Sequence, residues 1–195
     1  MRYFEINTLG DDQDKERVFV DSEPEGLDGF GYRLAEGEPT DDVYPADSRI
    51  YLNPYNQGLK LATLVGNSIG YLILHAPLVE HLKESHDLST VELRPVSIYS
   101  QRRRPLSRDY WIVNPLRFVG CLDRAASRIQ FLSSDPEQIV GIDEIVFASK
   151  RLADAPDLFR IPEKRMSYFI SERVVEGLQG QGFDNIFLHE VRQQS

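Results

Sequence analysis

The sequence predicts an α+β domain: a largely antiparallel sheet with a few helices packed on one face. Segments with strand-type alternation or short apolar runs clearly outnumber segments with helical period, and the two kinds do not alternate regularly. The composition of the 195 residues, 41% hydrophobic and 27% charged, is that of an ordinary globular chain. A chain of this size buries about 70% of the surface its unfolded form exposes, so it needs no disulfide or metal to hold a core. One domain, 1–195, is the expectation.

The elements follow in order. RVFV (17–20) and RIYLN (49–53) read as strands among turn residues, with Pro24, Gly26, Gly29, Gly31, Gly37 and Pro39 supplying the turn chemistry. Turn residues cluster again in NPYNQG (53–58), where a boundary would separate an acidic N-terminal subdomain (1–55) from the remainder (56–195). Residues 61–79 carry no formal charge, which raises the question of a membrane span. Gly66, Asn67, Ser68 and Gly70 interrupt the run, so it predicts two short buried strands, a turn, and a helix over 76–85. Pro77 suits that helix's first turn, and Leu78, Val79 and Leu82 form its apolar face. Strands follow over 91–99 and 110–119, then mixed elements that include IVGIDEIVF (139–147). After LFRI (158–161) and the strand YFI (168–170), Ser171 is placed to cap a helix over 171–179 whose inner face is Val174, Val175 and Leu178. Gly180 and Gly182 end it, and FDNIFLHEV (183–191) closes the chain as a strand.

Charge is unevenly spread. Residues 1–50 hold 14 acidic and 5 basic side chains, a net of −9, whereas the remaining 145 hold 17 of each. All of the formal net charge therefore lies in the first quarter, and the strand signals around it predict display on hairpin turns. The candidate partner-binding residues are Asp11, Asp12, Asp14, Asp21, Glu23, Glu25, Asp28, Glu36, Glu38, Asp41 and Asp42. Such a face keeps a protein soluble, steers a basic protein partner, and repels nucleic acid.

The opposite sign is concentrated in QRRRPLSR (101–108), read as a hairpin loop. Arg102, Arg103, Arg104 and Arg108 would contact phosphates if Tyr99, Tyr110 and Trp111 were free to stack bases. A pI near 5.0 opposes that reading, and the arginines are expected to pair with the acidic edge instead.

Residues with catalytic chemistry are sparse. The four histidines, His75, His81, His86 and His189, sit in no HExxH, CxxC, GxSxG or P-loop spacing. His81 and His86 are read as solvated residues near a helix C-terminus, and the single Cys121 as a buried strand thiol. The expectation is no catalytic residue, no metal and no cofactor. The alternative is a small hydrolase or ligand-binding enzyme, which would need His189 or His75 to meet Asp123 and Cys121 in one cleft.

YWIVN (110–114), CLD (121–123), LFRI (158–161) and YFISERVVEGLQGQGF (168–183) together resemble a family of immunity proteins from bacterial polymorphic-toxin systems. The likeness covers roughly 61–191. It implies a cytoplasmic protein that binds and neutralises a toxin encoded beside it, with no catalytic residues of its own. In the matching motifs Phe159 is read as core, Ser171 as a helix cap, and Arg160 as solvent-facing or ion-paired. The acidic face adds the expectation of a basic partner such as a nuclease domain, with no role for nucleic acid or membrane. MRYFEINTLGDDQD lacks an apolar run of signal-peptide length, which agrees with a cytoplasmic location.

Overall fold

The computed structural model describes residues 1–194. It is α+β and sheet-rich, with mixed and antiparallel sheets and few helices. The strands are β1 (Tyr3–Asn7), β2 (Phe19–Val20), β3 (Arg49–Tyr51), β4 (Gly66–Asn67), β5 (Leu72–His75), β6 (Val91–Tyr99) and β7 (Pro105–Pro115). Then come β8 (Arg128–Leu132), β9 (Asp135–Glu144), β10 (Val146–Ala148), β11 (Leu158–Ile161), β12 (Lys164–Ser171) and β13 (Phe187–Gln194). The helices are α1 (Tyr32–Glu36), α2 (Ala76–Ser85) and α3 (Glu172–Leu178), with a single 3₁₀ turn over Ser149–Leu152.

A five-stranded sheet runs β10-β13-β1-β12-β11, and a four-stranded sheet runs β3-β6-β7-β5. Most pairings are antiparallel, but β10–β13, β2–β4 and β3–β6 are parallel. The residues expected to form an acidic subdomain contribute a strand to three sheets: β1 lies between β13 and β12, β2 pairs with β4, and β3 pairs with β6. Most of their acids stand on the long loops between β1, β2, α1 and β3 instead of on hairpin turns. The reason is that β2 and β3 take parallel partners far along the chain, which a tight turn cannot supply.

The period-2 alternation explains the core. Tyr3 and Phe169 face one side of the five-stranded sheet and join Phe147, Phe159 and Val191, while Ile6, Tyr168 and Ile170 face the other. This second side packs with Leu72, Leu74 and Val113 of the four-stranded sheet and with α2 and α3. The far side of the four-stranded sheet, through Ile73, Ile98 and Ile112, is covered by Val18, Val20, Leu27 and Leu34 from the first quarter.

Helix α2 has the bounds its pattern predicts, with Pro77 in its first turn and Leu78, Val79 and Leu82 buried. The expected segment 139–147 is divided instead: β9 pairs only with β8 in a projecting hairpin, and β10 enters the five-stranded sheet.

Candidate partner-binding site

The eleven acids differ in what surrounds them. Five have a cationic partner, though Arg165 serves two of them and Arg94 is shared with Glu92. Asp14 accepts from Arg17 at 3.0 Å and lies 3.8 Å from Lys60. Asp41 meets Arg94 at 2.6 Å and Asp42 meets Arg33 at 2.8 Å. Glu36 and Glu38 share Arg165, at 3.6 and 3.1 Å. Such surface pairs add little to stability, but they cancel charge that a partner would otherwise feel.

The carboxylates of the other six have no cationic side chain within 4.0 Å among the described residues, although Lys15 donates to the Asp12 backbone carbonyl. Asp11 and Asp12 turn their own loop, accepting from Gln13. Asp21 accepts from Asn56 at 3.2 Å, and Glu23 accepts from the Gly29 N–H at 3.2 Å. Glu25 and Asp28 are exposed. The acidic face thus contracts to the loops at 11–12 and 21–28. Asp11 and Asp12, with Asp14, line an open groove of about 420 Å³ together with Lys15, Arg17, Tyr55, Asn56 and Gln57.

The motif residues turn out to be structural, and two differ from expectation. Arg160 is fully buried, not solvent-facing or ion-paired. Its guanidinium donates to the carbonyls of Leu34, Ala35, Pro115 and Arg165 and to Asn114 Oδ1, and it stacks 4.1 Å from the Tyr168 ring. Leu34 and Ala35 lie at the end of α1, where carbonyls lack intrahelical partners and the helix dipole favours a cation. Burial pulls the guanidinium's pKa below its ordinary value. LFRI gave no hint of this, because its arginine falls in an apolar strand and most of its partners are backbone carbonyls from two distant segments, 34–35 and 114–115.

Ser171 occupies the N-cap position of α3, yet its hydroxyl makes no cap hydrogen bond. It donates to Asp157 instead. Asp157 also bonds His86 Nδ1 at 2.9 Å, and His86 is only 6% exposed, so the expected solvated histidine is part of a buried polar cluster. Burial alone would raise the Asp157 pKa; the Ser171 and His86 contacts outweigh it and hold the carboxyl below its ordinary value.

The residues of the enzyme alternative are dispersed. Cys121 is sealed in the core beside Phe147 and Phe159, and burial pushes its thiol up to about 12. Asp123 accepts from the Ala125 and Ala126 N–H groups in its own turn. His189 pairs across the sheet with Glu5 and lines a different, open groove. His75 precedes α2 and packs on Tyr110. Among the described residues, no cluster of three or more His, Cys, Asp or Glu has a geometry that would hold a metal ion. Among the described residues, no helix is long and apolar enough to cross a membrane.

The arginines of 101–108 do not pair with the acidic edge: among the described residues, no carboxylate lies within 4.0 Å of Arg102, Arg103, Arg104 or Arg108. All four are exposed, the first three on the tip between β6 and β7 and Arg108 on β7 itself.

The model of a family described as Immunity protein family (Imm11) matches residues 4–193. No curated protein matches the chain.

Proposed function

The chain belongs to the Imm11 immunity protein family, and from that premise we propose that it neutralises a cognate bacterial toxin in the cytoplasm by binding it directly. The family match over nearly the whole chain carries this reading. The six uncompensated carboxylates add its finer part. A toxin that attacks nucleic acid needs a basic cleft, because phosphate contacts supply most of its non-specific affinity. Carboxylates at Asp11, Asp12, Asp21, Glu23, Glu25 and Asp28 can occupy such a cleft and close it to substrate.

The test is to combine the purified protein with the toxin domain encoded beside it and to follow both complex formation and nucleic-acid cleavage. The expected result is a one-to-one complex in which cleavage stops. A complex that leaves cleavage running would refute occlusion, and a neighbouring toxin that attacks lipid or peptidoglycan would refute the nuclease assignment.

A further inference from the structure

The loop 53–59 lies between two patches of opposite sign. On one side Asn56 donates to Asp21 at 3.2 Å and lines the same groove as Asp11 and Asp12. On the other, Gln101 donates to the Asn56 carbonyl, joining the loop to the β6–β7 tip. Tyr55 stands at the apex of this loop, 91% exposed, and Leu59 beside it is 53% exposed.

The tip is built to hold its charge outward. Ser100 and Arg104 close it through a backbone hydrogen bond of 2.8 Å, with a second from the Arg104 N–H to the Ser100 hydroxyl at 3.2 Å. Arg103 sits at φ +57°, a left-handed position that glycine or asparagine would take at less cost. Its guanidinium lies 4.6 Å from the Tyr51 ring, Arg49 covers Tyr99 at 5.6 Å, and the two rings pack 5.3 Å apart. Arg102 and Arg104 are left free in a protein that carries nine more acids than bases.

Two classes of polyanion could meet such a tip, and the aromatic side chains decide between them. A nucleic acid would need exposed rings on which to stack. Tyr110 is buried, Trp111 is faced by Lys83 at 5.1 Å, and Tyr99 and Tyr51 already hold guanidinium groups. Tyr55 remains, and a single exposed tyrosine flanked by unpaired charges is the composition of a protein-interface anchor.

We propose that Tyr55 and the Arg102–Arg104 tip dock onto an acidic segment of the cognate toxin, with Tyr55 as the anchor. The acidic groove on the other side of the loop then meets the toxin's basic region, and the two signs together fix its orientation. This inference rests on the immunity reading above.

The experiment measures binding of the neighbouring toxin domain to the wild type, to Tyr55→Ala and to R102E/R104E, which leaves Arg103 on Tyr51. Unchanged circular dichroism and melting temperature confirm that both variants fold. R102E/R104E should weaken binding at least about tenfold at low salt, with the deficit shrinking as salt is added. Tyr55→Ala should speed dissociation about thirtyfold at any salt. If both variants bind like wild type, this surface is wrong and the immunity role stands. If wild type itself does not bind, the immunity reading and the surface fail together. Retention of a labelled nucleic-acid duplex by wild type but not by R102E/R104E would assign the tip to nucleic acid and overturn the proposal.

Discussion

Arg160 donates to Asn114 Oδ1 at 3.2 Å, and Asn114 in turn donates to Glu92 at 3.1 Å. The nearest negative charge in this chain of contacts is thus one amide away from the buried cation. Glu92 also accepts from Thr40 and Arg94, so the network joins β6, β7, β11 and the end of α1. Removing Arg160 would leave the carbonyls of Leu34, Ala35, Pro115 and Arg165 unsatisfied. Arg160→Ala is expected to cost about 3 to 5 kcal/mol in urea unfolding, because buried acceptors left without a donor cost about 1 to 3 kcal/mol each and a cavity opens where the side chain was. Lysine at this position should recover only part of that loss, since it lacks the planar fork of donors.

Asp157 makes stability depend on acid. Its carboxyl has a depressed pKa in the folded state, so its contribution is present above the unfolded value of about 3.9 and is lost as pH falls through the folded value. Ser171→Ala removes one of the contacts that depress it. The variant should be less stable than wild type by about 1 to 3 kcal/mol near neutrality, the range for a hydrogen bond to a charged group. The difference should narrow as pH drops below about 4. Chemical denaturation across this range reads both effects.

Cys121 should be chemically silent in the folded protein. With its thiol pushed up to about 12 by burial, almost no thiolate exists at neutral pH, and a disulfide reagent should react only when the protein is unfolded. The raised pKa also has a stability consequence. The contribution is full below the unfolded thiol value of about 8.5 and declines as pH rises from there towards the folded value. Cys121→Ala should flatten that alkaline decline.

Reversal of Asp11, Asp12 and Asp21 to lysine is expected to slow association with the toxin about tenfold or more at low salt while leaving the melting temperature in place. The same reversal at Asp14 should lower the melting temperature slightly, because a lysine there would face Arg17, which keeps Asp184, and Lys60. An association rate untouched by the first set and by salt would leave solubility as the role of those acids.

Much of the architecture was legible where one physical rule governs a segment. Helix α2 follows from Pro77 and the spacing of Leu78, Val79 and Leu82, and β6 from the run at 91–99. The motifs that carry the family likeness lie after residue 109 and the likeness extends over roughly 61–191, yet the match from residue 4 takes in β2, β3 and all but the first residue of β1. Those strands were harder to place because their partners lie far along the chain. The same distance hid Arg160, whose acceptors come from positions 34 to 165, and the Asp157 bonds to His86 and Ser171. Charge counting found the acids but could not separate Asp11 and Asp12 from Asp41 and Asp42, since arginine partners are assigned only by tertiary structure.

The position of β1 in the middle of its sheet imposes a timetable. Tyr3 pairs with Val191, so a strand made among the first residues waits for one made almost 190 residues later. At about 5 to 20 residues per second, that interval is roughly ten to forty seconds. During it β12 emerges and can take β1 on one side, while the other edge of β1 stays open for any strand that approaches. The five-stranded sheet is therefore completed only once β13 has been made, and a nascent chain has an unfinished sheet until β13 has left the ribosome.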